Sequence, residues 1–128
     1  MRALLDTHAL LWWLVDSDRL SDRARAVIAD AATELYWSAA SSWEIAIKTG
    51  LGRLSLPEPP RSLIPKVMRE QALRPLEVTH AHALAVAELP DHHRDPFDRL
   101  LVAQSRLEKL PIVSADRIFE RYDAERLW

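Results

Sequence analysis

Four carboxylates stand where separate segments of the chain change direction. Asp6 closes the apolar run Ala3-Leu4-Leu5. Glu44 lies just inside a helix expected to open at Ser41-Ser42. Asp98 falls in the first turn of a helix opened by Pro96-Phe97, and Asp116 follows the apolar segment Pro111-Ile112-Val113. Where such runs are parallel neighbours in a sheet, their carboxyl ends share one edge, the edge at which α/β folds bind ligands. Acids gathered there repel one another, and a divalent cation is the usual way to hold them together. An all-oxygen site of this kind suits magnesium, with manganese as a substitute. The chemistry it implies is hydrolysis by a metal-activated water, and phosphodiesters are the fitting substrate because the cation neutralises charge on the phosphate oxygens.

Each acid has an ordinary structural role to weigh against this one. Asp6 before an apolar helix is a natural N-cap. Glu44 precedes Lys48 by four residues, the favourable order for a helical ion pair. Asp98 in a first turn suits the helix dipole, Asp95 before Pro96 is placed to cap that helix, and Asp116 is placed to cap the turn 117–120. Singly, none of the four exceeds its structural role. Together they follow strands or open helices on one side of the sheet, as the right-handed crossover rule requires. Lys48, Arg94 and Arg99 are cations near that edge. The first two are candidates for substrate phosphates, whereas Arg99 is expected to be solvated or paired with the site acids.

The elements that must carry these residues alternate. Strands are expected at 2–5, 35–37, 74–78 and 112–113, with a strand-like tail ending at Trp128. Helices are expected at 7–15, from Ser21 to about Ala32, at 43–49 (stopped by Gly50), at 61–73, at 80–89 (capped by Thr79) and at 97–109. This order predicts an α/β fold: three layers, α/β/α, around a central and mostly parallel sheet of four to five strands. Leu51 to Pro60 is the irregular insert. No repeat or linker divides residues 1–128, which are expected to form a single domain.

The apolar share of 48% and charged share of 28% are those of a globular, water-soluble chain, and no apolar stretch is long enough to span a bilayer. The short run Ala9 to Val15 lacks the features of a signal segment and reads as the body of a helix. With no cysteine, disulfides, thiolate metal sites and cysteine nucleophiles are excluded, and a reducing cytoplasm is the fitting location. Only Gly50 and Gly52 are present, so phosphate-cradling glycine loops are absent. The net charge of −2 argues against coating by nucleic acid, but a nuclease needs only a local cationic rim. The five histidines are expected to be exposed polar residues rather than zinc ligands, since adjacent or i,i+2 histidines do not converge from a helix face. Of the tryptophans, Trp37 and Trp43 are expected in the core. Trp12 and Trp13 point in different directions, so at least one of them is expected at the surface or an interface.

Four segments, in order and suitably spaced, resemble those of PIN domains of the kind found in VapC-type toxins of bacterial toxin–antitoxin pairs. They are Leu4-Leu5-Asp6-Thr7-His8, Ser42-Trp43-Glu44-Ile45-Ala46, Asp98-Arg99-Leu100-Leu101-Val102-Ala103-Gln104 and Pro111-Ile112-Val113-Ser114-Ala115-Asp116. The resemblance spans essentially the whole chain, and residues 43–54 and 93–104 resemble one branch of the family. It implies that Asp6, Glu44, Asp98 and Asp116 are the catalytic, metal-binding acids of an endoribonuclease, with the 3′-oxygen as leaving group. Ser114 matches a small hydroxyl residue beside the site. Asp95 matches an acid of the branch that would orient water. Position 8, where many relatives carry Asn, is His. The implied partners are RNA, a second copy of the chain and a small antitoxin protein. A non-catalytic PIN-like scaffold is the alternative from a different class. Aspartyl-phosphate chemistry is disfavoured by His at position 8 and by the absence of a lysine after Val113.

Overall fold

Alternation of side chains along each strand decides which helices the sheet can hold. The computed structural model describes residues 1–128. In β1 (Arg2–Leu5), Ala3 and Leu5 enter one apolar cluster and Leu4 the other. In β2 (Glu34–Ser38), Leu35 and Trp37 join the first cluster while Tyr36 packs against the second. In β4 (Ile112–Val113), Val113 and Ile112 divide the same way. Strands buried on both faces need covering on both faces. With β3 (Arg74–Leu76) and β5 (Arg126–Leu127), the sheet has five strands in the order β3-β2-β1-β4-β5, every neighbouring pair parallel.

The first layer is built by α1 (Thr7–Leu14), α2 (Asp22–Ala29) and α4 (Pro60–Glu70), through Ala9, Leu10, Ala24, Ile28, Leu63, Ile64 and Val67. The second is built by α6 (Pro96–Glu108) and the 3-10 segment Arg117–Tyr122, through Leu101, Val102, Phe119 and Tyr122, with α5 (His80–Ala85) packed on α6. Helix α3 (Ala39–Gly50) touches α1, α4 and α6 and so bridges the layers. Strands β2 and β4 flank β1 on opposite sides, so the direction of winding reverses at β1, the position where open parallel sheets form their ligand crevice.

Several sequence expectations shift. Helix α3 begins earlier than expected: Ser38, in an extended conformation at the end of β2, is the N-cap, and its Oγ accepts the Ala40 N–H at 3.0 Å. Three nearby serines compete for that role, and the one at the strand end has the required backbone. Glu44 therefore lies in the second turn. Gly50 is the last helical residue, and the left-handed turn falls at Gly52, φ 73°. Trp43 is not in the core but 56% exposed. The buried face of α3 carries Ala40, Ser41, Glu44 and Ile45, and at about 100° per residue position 43 lies off it. Trp37 is buried, as expected. Both Trp12 and Trp13 are half-buried. Trp12 stacks against Trp128, and Trp13 Nε1 donates to Gln71 Oε1 at 3.0 Å.

His82 also departs from expectation. It is buried, closing a capping box with Thr79, and its Nε2 lies 2.8 Å from Glu108 Oε1. Its Nδ1 faces Gln104 Nε2 at 3.3 Å, and Gln104 Oε1 accepts the Ser38 hydroxyl at 2.5 Å. One buried amide thus joins the end of β2, α5 and α6, two of which position candidate acids. Replacing Gln104 with Leu leaves the hydroxyl of Ser38 without this acceptor. A loss of about 1–3 kcal/mol in unfolding free energy is expected, measured by denaturant titration.

Candidate active site

At the carboxyl edge, the register that pairs Leu5 with Val113 brings Asp6 beside Ser114, and the Asp6 N–H donates to Val113 O at 3.0 Å. Asp6 is 7% exposed. Its Oδ1 accepts the Thr7 N–H at 2.7 Å and its Oδ2 accepts the Ser114 hydroxyl at 2.7 Å. Ser114 Oγ in turn accepts the Asp116 N–H at 3.1 Å, so one hydroxyl links the acid after β1 to the loop after β4. Glu44, 2% exposed, reaches the same edge from α3. Its Oε1 accepts the Thr7 hydroxyl at 2.7 Å, and its other oxygen pairs with Lys48.

Asp98 comes from the first turn of α6 and is partly buried. Asp95 is the N-cap of that helix, its Oδ1 accepting from the backbone of Phe97 and Asp98 at 2.8 and 3.1 Å. Asp116 is the most exposed of the four principal acids. It caps the 3-10 segment through Ile118 N–H at 3.0 Å. The ordinary capping roles of Asp6, Asp95 and Asp116 are therefore real, and they coexist with convergence. Arg94 is exposed.

Burial and like charge act together on Asp6 and Asp98. Burial pushes the Asp98 carboxyl up to about 7, with the charges of Asp6 and Asp95 adding to the effect and the His93 hydrogen bond opposing it. Burial likewise raises Asp6, with Glu44 reinforcing the rise and Ser114, His8 and Thr7 opposing it. Burial acts to lower Lys48, but its hydrogen bond to Glu44 and the nearby Asp95 and Asp98 outweigh it and leave the ammonium above its usual value. One ammonium thus serves several acids. A donor set this rich in oxygen and this short of positive charge fits a hard divalent cation.

Two participants were not anticipated in the sequence. Thr7 ties Glu44 to the end of β1. Its signal was the hydroxyl directly after Asp6, which reads as an ordinary first-turn residue. His93 was grouped with the exposed histidines, yet its Nε2 lies 2.8 Å from Asp98 Oδ2 and 3.9 Å from Asp116 Oδ2. It sits in a loop, so the helical argument against convergence does not apply. Arg99 is neither solvated nor paired with an acid: its guanidinium donates to backbone carbonyls, including Val86 O at 2.9 Å and Pro90 O at 3.0 Å. His8 is exposed, stacks on Trp12 and is close enough for its charge to act on Asp6.

The PIN domain family model matches residues 3–125. The chain belongs to the PIN-domain family. Ribonuclease VapC16 of Mycobacterium tuberculosis is 46% identical over 61 residues, 48% of this chain and 43% of that protein's length. Ribonuclease VapC22 of the same organism is 31% identical over 115 residues, 89% of this chain and 86% of the relative. Among solved structures, FitAcB from Neisseria gonorrhoeae superposes with a TM-score of 0.66 at 19% identity, covering 98% of this chain and 96% of that one. VapBC2 from Rickettsia felis, bound to a promoter DNA fragment, gives 0.69 at 13% identity, covering 98% and 97%. At these identities the two structures attest the PIN fold.

The raised acids make stability depend on pH. Because Asp98 holds its proton up to about 7 in the folded state, against 3.8 ordinarily, its contribution is present below 3.8 and lost as pH rises towards 7. Asp6 acts in the same direction. The melting temperature of the metal-free protein is expected to fall between about pH 4 and about pH 7, as measured by scanning calorimetry, and Asp98→Asn should flatten the decline.

Proposed function

We propose that this PIN-domain protein is a divalent-metal-dependent endoribonuclease, the toxin of a toxin–antitoxin pair. Asp6, Glu44, Asp98 and Asp116 hold Mg2+ or, as a substitute, Mn2+. The observation that carries this reading is the gathering of acids, Asp6 and Glu44 buried and both Asp6 and Asp98 raised by burial, at the edge where the parallel sheet changes its winding. Residues that served only as caps or surface pairs would not need to share one neighbourhood.

The roles follow from the contacts. Ser114 and Thr7 fix the Asp6 carboxylate, and Thr7 with Lys48 fixes Glu44. Asp95 keeps one oxygen on the helix cap and adds its charge beside Asp98. Lys48 and the exposed Arg94 are the cations available to RNA phosphates. When bound, the cation activates the attacking water and neutralises charge developing on the phosphodiester.

Two protein partners fit the surface. A trough of ≈ 710 Å³, lined in part by Leu11, Trp12, Val15, Leu54 and Leu56, opens beside Thr7, Glu44 and Lys48. An antitoxin segment seated in this trough would reach the acids. The outer face of α3 exposes Trp43 and Ile47, and Leu51 beyond its end is also exposed, with Phe97 packed on Trp43 at 5.0 Å between ring centroids. That apolar face suits a second copy of the chain. No helix is long and apolar enough to cross a membrane, and the cytoplasm, where RNA is available, is the compartment that fits this activity.

Cleavage of RNA in Mg2+ or Mn2+ is expected to disappear in Asp6→Asn and Asp98→Asn while circular dichroism remains unchanged. Persistent cleavage by both purified variants would refute the proposal. Calorimetric titration with Mn2+ separates an enzyme from a PIN-like scaffold, because a scaffold has no reason to bind the ion. For the homodimer, light scattering should give twice the chain mass for the wild type and a shift towards monomer for Trp43→Ser.

A further inference from the structure

The stretch between Leu89 and Asp95 has no helix or strand, yet it is tightly held. Arg99 Nη1 donates to Pro90 O at 3.0 Å and His93 O at 3.3 Å, and Nη2 donates to Val86 O at 2.9 Å and Leu89 O at 3.5 Å. The fixed fork of a guanidinium lets one side chain clamp several carbonyls. From the other side, the Tyr122 hydroxyl accepts the His92 N–H at 3.1 Å, and the two rings meet edge to face at 5.1 Å. The loop so held directs His93 at the acids. Its Nε2 lies 2.8 Å from Asp98 Oδ2 and 3.9 Å from Asp116 Oδ2, and the ligand atoms of all three residues lie within 4.8 Å of one another.

Such a cluster suggests a nitrogen ligand to the cation, but the other ring nitrogen argues otherwise. His93 Nδ1 accepts the Arg94 N–H at 3.1 Å. An accepting nitrogen bears no proton, so the proton of the neutral ring is on Nε2, which then has no lone pair to offer a metal. An imidazolium, protonated at both nitrogens, could not accept the Arg94 N–H, so this contact assigns the neutral ring with its proton on Nε2. Asp98 Oδ2 receives this bond, while Oδ1 has no protein partner and remains open.

We propose that His93 is a positioning residue: its Nε2–H orients Asp98 towards the cation, without the ring itself entering the coordination set. This rests on the proposed metal-nuclease reading. Asp98 is flanked by the like charges of Asp6 and Asp95, and the nearest ammonium, Lys48, is engaged by Glu44. Without the imidazole, nothing else in the protein restrains the direction of the Asp98 carboxylate. Groups that orient metal ligands in this way change affinity or activity by roughly 10–100-fold when removed.

The test uses His93→Leu, which removes the donor at similar bulk, and His93→Gln, whose amide Nε2 can donate from the same place. Mn2+ affinity is read by electron paramagnetic resonance and kcat by RNA cleavage at saturating Mn2+. His93→Leu is expected to weaken Mn2+ binding or kcat by roughly 10–100-fold, and His93→Gln to restore most of the loss. Pulsed resonance of Mn2+ on the wild type should show no directly coordinated nitrogen, a measurement that needs no variant to fold. Coordinated nitrogen, or equal impairment of both variants, would overturn the positioning role. So would a His93→Leu protein indistinguishable from wild type while Asp98→Asn loses the ion, an outcome that leaves the metal-nuclease reading standing. Failure of the wild type to bind Mn2+ at all would overturn both.

Discussion

Mutual repulsion among carboxylates at the sheet's carboxyl edge is the constraint around which the surrounding contacts are arranged. Asp6 and Glu44 are almost entirely buried. Charges withdrawn from water are costly unless hydrogen bonds or opposite charges compensate them. Here the compensation is local: Ser114 and the Thr7 backbone serve Asp6, the Thr7 hydroxyl and Lys48 serve Glu44, and His93 serves Asp98. It is also incomplete, as the elevated Asp6 and Asp98 carboxyls attest. The remaining deficit of positive charge is what a bound cation would supply.

The fold delivers these groups from four separate segments because parallel strands end on one side. Asp6 leaves β1 and Asp116 leaves β4, its direct neighbour, while Glu44 comes from α3, which bridges the helix layers, and Asp98 from α6. Small hydroxyl residues occupy the junctions. Ser38 caps α3 and bonds to Gln104 of α6, and Ser114 connects Asp6 with Asp116. Such short donors suit positions where two backbones approach closely and a longer polar side chain would not fit.

Much of the chain was legible in advance because its signals are local or periodic. The apolar runs of β1 and β2, the caps Ser21, Thr79 and Asp95, and the run from Pro96 to Glu108 needed no tertiary information. The misreadings have a common cause. Trp43 looked like a core residue because of its size, but helical phase put it outside. His82 and His93 looked like solvent-facing polar residues. Their partners, Gln104, Glu108, Asp98 and Asp116, lie on other elements or depend on the course of an irregular loop. Arg99 looked like a solvated cation or a partner for the site acids, whereas the adjacent loop turns several of its carbonyls towards the guanidinium.

Residue types and spacing alone indicated the α/β class and a parallel sheet, because apolar strand runs, helix caps and short motifs are written in near neighbours along the chain, and the same short motifs, through the family resemblance, singled out four candidate acids. Tertiary structure alone decided how those acids are supported and how strongly they perturb one another. Hydrogen bonds across 108 residues, as between Ser114 and Asp6, and desolvation at a shared edge depend on which surfaces meet, and no local pattern encodes that.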